Sequence, residues 1–265
     1  MRKTCALILA AVMLVTVVNI AAAGQKMDSI LKKGELVVGI TGTQPPLNAT
    51  DKEGKIIGFE AEIAGLIAMN MGVKIKFDAR SFADLLPALK AGQVDMVLSG
   101  MTMTPERNLA VAFVGPYYVS GKGILTKAQS IGALQQADGL NNPEFKVAVM
   151  QNSTSQKFVE EAAPKAKLVT TPSYDQAIDM LFQGLVDALV ADYPFCAFAA
   201  FRYQDKGLVA GQSKFTVEPL GIAVPEDTLL INWLGNFINM LEASGQMKML
   251  NKRWFQDGSW IKQLP

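Results

Sequence analysis

The sequence predicts an α/β fold arranged as two lobes of related design. Three observations carry that expectation. Short β-branched runs alternate with amphipathic helical runs along the chain. One helix–turn–strand unit, FADLLPALKAGQVDMVLSG at 82–100, recurs as YDQAIDMLFQGLVDALVAD at 174–192, a constant offset of 92. The chain has 265 residues, half of them apolar and 18% charged, enough for one to two domains with a packed core.

The first segment reads as an address rather than as part of the fold. Arg2 and Lys3 give a positive start, 5–20 is apolar but for one Thr and one Asn, and Ala21, Ala22 and Ala23 supply small residues for cleavage. That apolar run of 16 residues falls short of the roughly 20 a spanning helix needs. Cys5 precedes the run, whereas lipid attachment needs a Cys just after it. Export with cleavage near Ala23 is the expectation. The remaining 242 residues carry a net charge of −1 and only Cys196, so no intrachain disulfide forms and the exported fold rests on its core. No later run reaches 18 apolar residues, and a soluble mature protein is expected.

The elements follow in order. Residues 36–40 (LVVGI) read as a strand. Residues 41–58 hold Gly42, Pro45, Pro46, Gly54 and Gly58 and read as loop and turn. From Phe59 a helical face of Phe59, Ile63, Leu66 and Ile67 runs to Gly72. A strand at 73–77, a helix at 82–91 and a buried strand at 94–98 come next. Further strands are expected at 110–114, 124–126, 145–150 and 186–190. Further helices are expected at 155–163, 174–182, 194–203, 229–244 and 247–255. The alternation predicts mostly parallel sheets.

In the repeated unit an aromatic opens each copy, an apolar helix face follows, Gly92 or Gly184 ends the helix, and Val-Asp leads into an apolar strand. Open α/β sheets bind ligands at the carboxyl ends of their strands. Here those ends are Ser99–Gly100–Met101–Thr102 and Ala191–Asp192. If the lobes face each other, both ends line one crevice, a common place for a small-molecule pocket.

Composition removes several chemistries. Without a histidine there is no His-based triad and no His-ligated metal site, and no cofactor is called for. A formal charge of +1 gives no nucleic-acid footprint.

Three segments remain as candidates. Thr104 and Pro105 suit a helix start, whose free amides beside Arg107 would make an anion site; a solvated Arg in a surface helix is the plainer alternative. Ser153 or Thr154 either caps the next helix or reaches a ligand. Asp192 is either a turn former before Tyr193-Pro194 or a carboxylate facing Arg107 across the crevice. One charge of each sign, neither stably buried alone, would select a zwitterion such as a free α-amino acid.

With these residues in hand, the chain resembles the periplasmic amino-acid-binding proteins of ABC importers, bacterial solute-binding family 3, over essentially all of 24–265. The resemblance rests on GELVVGITGTQPPL, IIGFEAEIAGLIA, VAVMQNSTSQ, LVDALVAD and LGIAVP. Its most specific part is G-M-T-x-T-x-x-R followed by F-x-x-P-Y-Y. It implies a type II periplasmic binding protein fold, two α/β lobes joined by two hinge strands. The divisions would be a signal peptide at 1–23, lobe one at 24–119 plus 221–265, and an inserted lobe two at 120–220. It implies that Arg107 holds an α-carboxylate with Thr102 and Thr154 helping, and that Asp192 holds the α-ammonium near Ser99 and Gly100. Phe82 would stack on the ligand side chain, and Ser153 would lie beside the ligand. It further implies a monomer that closes over an amino acid in the periplasm and docks transiently to a membrane permease.

Thr41 stands where basic-amino-acid binders carry an acid, Gln44 where an aromatic lid is common, Leu47 where Phe is usual and Asn152 where Gly is common. These departures favour an uncharged amino acid, with Gln44 adding a polar contact and Met101, Met150 and Phe195 adaptable apolar walls. Two other readings stand beside this one. Cyclohexadienyl dehydratases look similar around Arg107 and Thr154, but their general acid falls in the segment after Asp192. Here that segment is Tyr193–Pro194–Phe195–Cys196, which has no carboxyl. A receptor's sensor module would need a transmembrane helix downstream.

Overall fold

The computed structural model describes residues 24–134, 139–212 and 214–265; the expected signal peptide lies outside the described residues. In the first part of the chain the elements are α1 (Gln25–Lys33), β1 (Glu35–Ile40), β2 (Thr43–Gln44), β3 (Asn48–Thr50), β4 (Ile56–Ile57), α2 (Phe59–Met71), β5 (Lys74–Ala79), α3 (Phe82–Lys90), β6 (Met96–Val97), α4 (Pro105–Asn108) and β7 (Ala112–Ser120). Then come β8 (Lys122–Lys127), α5 (Ile131–Leu134), β9 (Lys146–Met150), α6 (Thr154–Ala162), β10 (Lys167–Thr171), α7 (Tyr174–Gln183), β11 (Ala188–Asp192), α8 (Tyr193–Arg202), β12 (Leu208–Ala210), β13 (Glu218–Val224), α9 (Thr228–Ala243) and α10 (Gln246–Asn251).

Two five-stranded sheets carry the two lobes, ordered β5-β1-β6-β13-β7 and β10-β9-β11-β8-β12. Their halves correspond. In the first, β1 runs parallel to β5 and β6; in the second, β9 runs parallel to β10 and β11. The repeated unit therefore occupies equivalent places, α3 leading into β6 and α7 into β11.

The expectation of mostly parallel sheets is corrected, because β13 and β7 pair antiparallel in one sheet, as do β8 with β11 and β12 in the other. The reason is connectivity. The chain leaves the first sheet through β7, enters the second at β8 after only Gly121, and returns through β13, so each crossing strand meets its neighbours head to tail.

Other differences are local. Residues 41–58, expected as loop, fold into the small antiparallel sheet β2-β3-β4. The strand expected at 94–98 is a ladder only at Met96–Val97, although the whole run is buried. The strand expected at 110–114 extends from Ala112 to Ser120, and Pro116 is tolerated because β7 is an edge. The helix expected at 247–255 stops at Asn251 and passes into a π-helical turn, Lys252–Gln256. The strands β10, β12 and β13 had no alternating pattern long enough to single out.

Packing follows the predicted apolar faces. Ile63 and Ile67 of α2 and Leu234 and Phe237 of α9 cover one face of the first sheet against Val38, Met96 and Ile222. Leu85 and Leu89 of α3 cover Val37 and Val97 on the other. That second cluster continues through Phe82 and Met101 to Met150, Tyr174 and Phe195 of the second lobe, so the lobes are in apolar contact.

The turn into α2 has no room for a side chain. Gly58 has φ 130°, and a Cβ there would lie 2.4 Å from the Leu47 carbonyl oxygen. Gly58→Ala should destabilise the protein by about 2 kcal/mol or more. Urea denaturation reads this as a lower midpoint, and an unchanged midpoint contradicts the assignment.

Candidate functional site

The carboxyl ends of the two equivalent strands meet. β6 runs into Ser99–Gly100–Met101–Thr102, and β11 ends at Asp192. Gly100 has φ +60°, and a Cβ there would lie 2.6 Å from Gln44 Oε1 and 3.6 Å from Asp192 Oδ2. The missing side chain makes room for Gln44 Oε1, whereas Asp192 Oδ2 stands at ordinary contact distance from that point.

Glu60 holds this loop from behind. It is fully buried on α2, and its Oε1 accepts the Gly100 N–H at 2.6 Å and the Tyr117 hydroxyl, while Oε2 accepts Asn48 Nδ2 at 2.6 Å. Burial raises the carboxyl above its ordinary range, the three donors oppose that, and the nearby charge of Asp192 adds to the rise. In front, Gln44 Nε2 donates to the Ser99 carbonyl at 3.2 Å and to Thr41 Oγ1 at 3.0 Å, and Thr41 Oγ1 donates to Asn48 Oδ1 at 2.8 Å.

Asp192 does not stand as the lone charge the sequence led us to expect. Lys122, the first residue of β8 and only 2% exposed, donates to Asp192 Oδ1 at 2.8 Å, and its Nζ lies 3.5 Å from Glu218 Oε2. Glu218 opens β13 and accepts Thr154 Oγ1 at 3.0 Å and Thr216 Oγ1 at 2.8 Å. Burial pushes its carboxyl up, but Lys122 and the hydroxyls of Thr102, Thr216 and Thr154 outweigh that and leave it below the ordinary value. Thr102 and Thr154 touch across the lobes, Oγ1 to Oγ1 at 3.2 Å. Sequence reasoning missed Lys122, Glu218 and Glu60. Lys122 and Glu218 lie at the two crossings between sheets, where nothing local marks either as a buried charge, and Glu60 reads in sequence as a first-turn helix acid.

Arg107 sits at the mouth of this junction. Its Nη1 donates to the Thr102 carbonyl at 2.9 Å and its Nη2 to the Asn152 carbonyl of the second lobe at 3.2 Å. The guanidinium lies 5.5 Å from the centre of the Phe82 ring. Burial lowers its basicity, partly offset by Glu218, Asp192 and Glu106. Among the described residues no carboxylate pairs directly with it. The expected helix-start anion site is corrected: α4 is a single turn, and the Arg107 amide is already taken by the Thr104 cap. A cavity of about 480 Å³ opens here, lined by Arg107, Asn152, Thr154 and others, and spanned by Lys157 Nζ on Glu106 Oε1 at 2.7 Å. That exposed pair draws the Glu106 carboxyl down to about 2.

The other candidates divide. Ser153 is a cap: it accepts Gln156 N–H at 3.2 Å and donates to the Met150 carbonyl at 2.6 Å. Met101, Met150 and Phe195 are packed in the interlobe cluster, and Phe82 lies beneath Arg107. Ser99, Gly100, Gln44, Thr102, Thr154, Arg107 and Asp192 do gather at one junction. Asn152 has φ 59°, a conformation Gly adopts freely and Asn tolerates.

Comparison with known proteins follows the same outline. Residues 36–257 match the family of bacterial extracellular solute-binding proteins, family 3. The chain is 27% identical to ABC transporter arginine-binding protein 1 of Escherichia coli K12 over 82% of this chain and 89% of that one. It is 22% identical to a cyclohexadienyl dehydratase of Pseudomonas aeruginosa over 94% and 92% of the two chains. The crystal structure of the ancestral amino acid-binding protein AncCDT-1, a precursor of cyclohexadienyl dehydratase, superposes with a TM-score of 0.81. It shares 35% identity over 88% of this chain and all of that one.

Removing Glu60 orphans three buried donors. Glu60→Ala should cost at least about 3 kcal/mol, read by urea denaturation. Because the native carboxyl titrates above its ordinary value of 4.5, the unfolded chain ionises first as pH rises. Stability should therefore fall through that window in the wild type and fall less in Glu60→Gln. Equal slopes for the two proteins contradict the assignment.

Proposed function

The chain belongs to family 3 of the bacterial extracellular solute-binding proteins, and from that premise we propose that it captures a free amino acid between its lobes and hands it to an ABC transporter permease. The observation that carries this reading is the gathering of Arg107 from one lobe and Asp192 from the other around Gly100, Thr102 and Thr154.

Arg107 spends two of its five N–H groups on carbonyls, and its planar fork suits a carboxylate. Asp192 Oδ1 is held by Lys122, while Oδ2 faces Gly100, where an α-ammonium would find it beside the Ser99 carbonyl. The hydroxyls of Thr102 and Thr154 lie between the two charges and add donors to the carboxylate. We take the crossings at Gly121 and just before Glu218 as hinges, so that 24–119 with 221–265 moves against 120–220. The contacts Thr102–Thr154, Arg107–Asn152 and Glu106–Lys157 then form on closure. Export to the periplasm through residues 1–23 and action as a monomer complete this reading.

Transport rather than catalysis is favoured by the segment after Asp192. It brings no carboxyl, and burial pushes the Cys196 thiol well up, so it packs as a small apolar residue. Purified protein incubated with prephenate or arogenate should yield no product; turnover would replace this reading with the dehydratase one.

Arg107→Ala should lose about 2–5 kcal/mol of amino-acid binding, roughly 30-fold to a few thousand-fold, by calorimetry. Asp192→Asn should erase the preference for an amino acid over its deaminated analogue. An unchanged dissociation constant in the first, or a wild type indifferent to the amine, overturns the proposal.

A further inference from the structure

We propose that Lys122 is a built-in cation that sets the class of ligand: it makes the site select amino acids with uncharged side chains and reject basic ones. This deepens the amino-acid reading above and rests on it.

The argument is a count of buried charge. Among the described residues, the carboxylates at the junction are Asp192, Glu218 and Glu60. Lys122 reaches the first two with one ammonium, at 2.8 and 3.5 Å. Glu60 is sealed behind Gly100 by Tyr117, Asn48 and the Gly100 amide. With Arg107, the cations Lys122 and Arg107 balance Asp192 and Glu218. A zwitterionic ligand adds no net charge to this arrangement. A lysine-like or arginine-like side chain adds one positive charge with no buried carboxylate left to receive it, next to a cation that cannot leave. Like charges brought together in a desolvated site repel strongly. The carboxylates at the cavity mouth, Glu106, Glu160 and Glu161, are exposed, so water and salt weaken what they could offer.

Lys122 acts here without needing to touch the ligand. It fixes Asp192 Oδ1 and leaves Oδ2 toward Gly100, so the ammonium seat survives while the surplus negative charge is removed.

The test is a calorimetric panel of glutamine, leucine, arginine and lysine on the wild type, Arg107→Ala, Lys122→Met, Glu218→Gln and the double variant Lys122→Met/Glu218→Gln. The wild type should bind at least one uncharged amino acid roughly tenfold or more tighter than arginine or lysine. Lys122→Met, of similar length but neutral, should shrink or reverse that ratio by roughly tenfold or more. The double variant restores the charge balance and should restore the ratio, and Glu218→Gln should widen it. These last two keep the proposal testable if Lys122→Met fails to fold. A wild type that binds arginine or lysine as tightly as the uncharged ligands overturns the inference, as does a ratio that none of the variants moves. A wild type that binds no amino acid, or whose binding survives Arg107→Ala, instead overturns the amino-acid reading itself.

Discussion

The constraint on which the rest depends is a buried ammonium shared between two carboxylates, Lys122 with Asp192 and Glu218. Burying an ion is favourable only where its partners are fixed and its remaining hydrogen bonds are made. Here the three residues come from β8, β11 and β13, the points where the chain enters the second sheet, ends its central strand and returns to the first. The cluster thus requires both crossings and the second lobe's central strand to arrive together. Its hydroxyl partners, Thr154 and Thr216, lie on the second lobe and on the returning segment.

The first lobe supplies the complementary half by different means. Its strand end carries no charge; it offers a glycine in a left-handed conformation, supported from behind by Glu60. The absence of a Cβ makes room for Gln44 Oε1, and the glutamate holds the loop beside Asp192. The same repeated α/β unit therefore ends in backbone on one side and in a carboxylate on the other. That asymmetry turns a structural repeat into a two-sided site.

Much of this was legible in the sequence, and the reasons it was legible are local. The helices from Phe59 and Tyr174 declare themselves by apolar spacing, and the offset between 82–100 and 174–192 puts Gly100 and Asp192 at equivalent strand ends. What was not legible depends on long-range pairing. The antiparallel half of each sheet arises from the chain's double crossing; the resemblance puts the lobe boundaries near 120 and 220, but no local pattern there announces antiparallel pairing. Lys122 lies between two glycines just before the strand expected at 124–126. Its burial follows only from β8 lying between β11 and β12. For Ser153 the sequence left capping and ligand contact both open, and its hydroxyl is engaged by the helix it caps.

The balance of contacts across the junction also bears on how the lobes can move. The apolar contact through Phe82, Met101, Met150 and Phe195 favours closure without direction. The polar contacts supply direction but little net strength, because Thr102–Thr154 and Arg107–Asn152 would exchange for water in the proposed opening, and Glu106–Lys157 is exposed. The strongly bound ions behave differently. Lys122 and Asp192 are paired within the second sheet, and Glu218 stands at a crossing strand. Opening therefore need not separate Lys122 from Asp192. In the proposed opening and closing, the costly buried charges would stay satisfied in both states, and only weak, replaceable contacts would be made and broken.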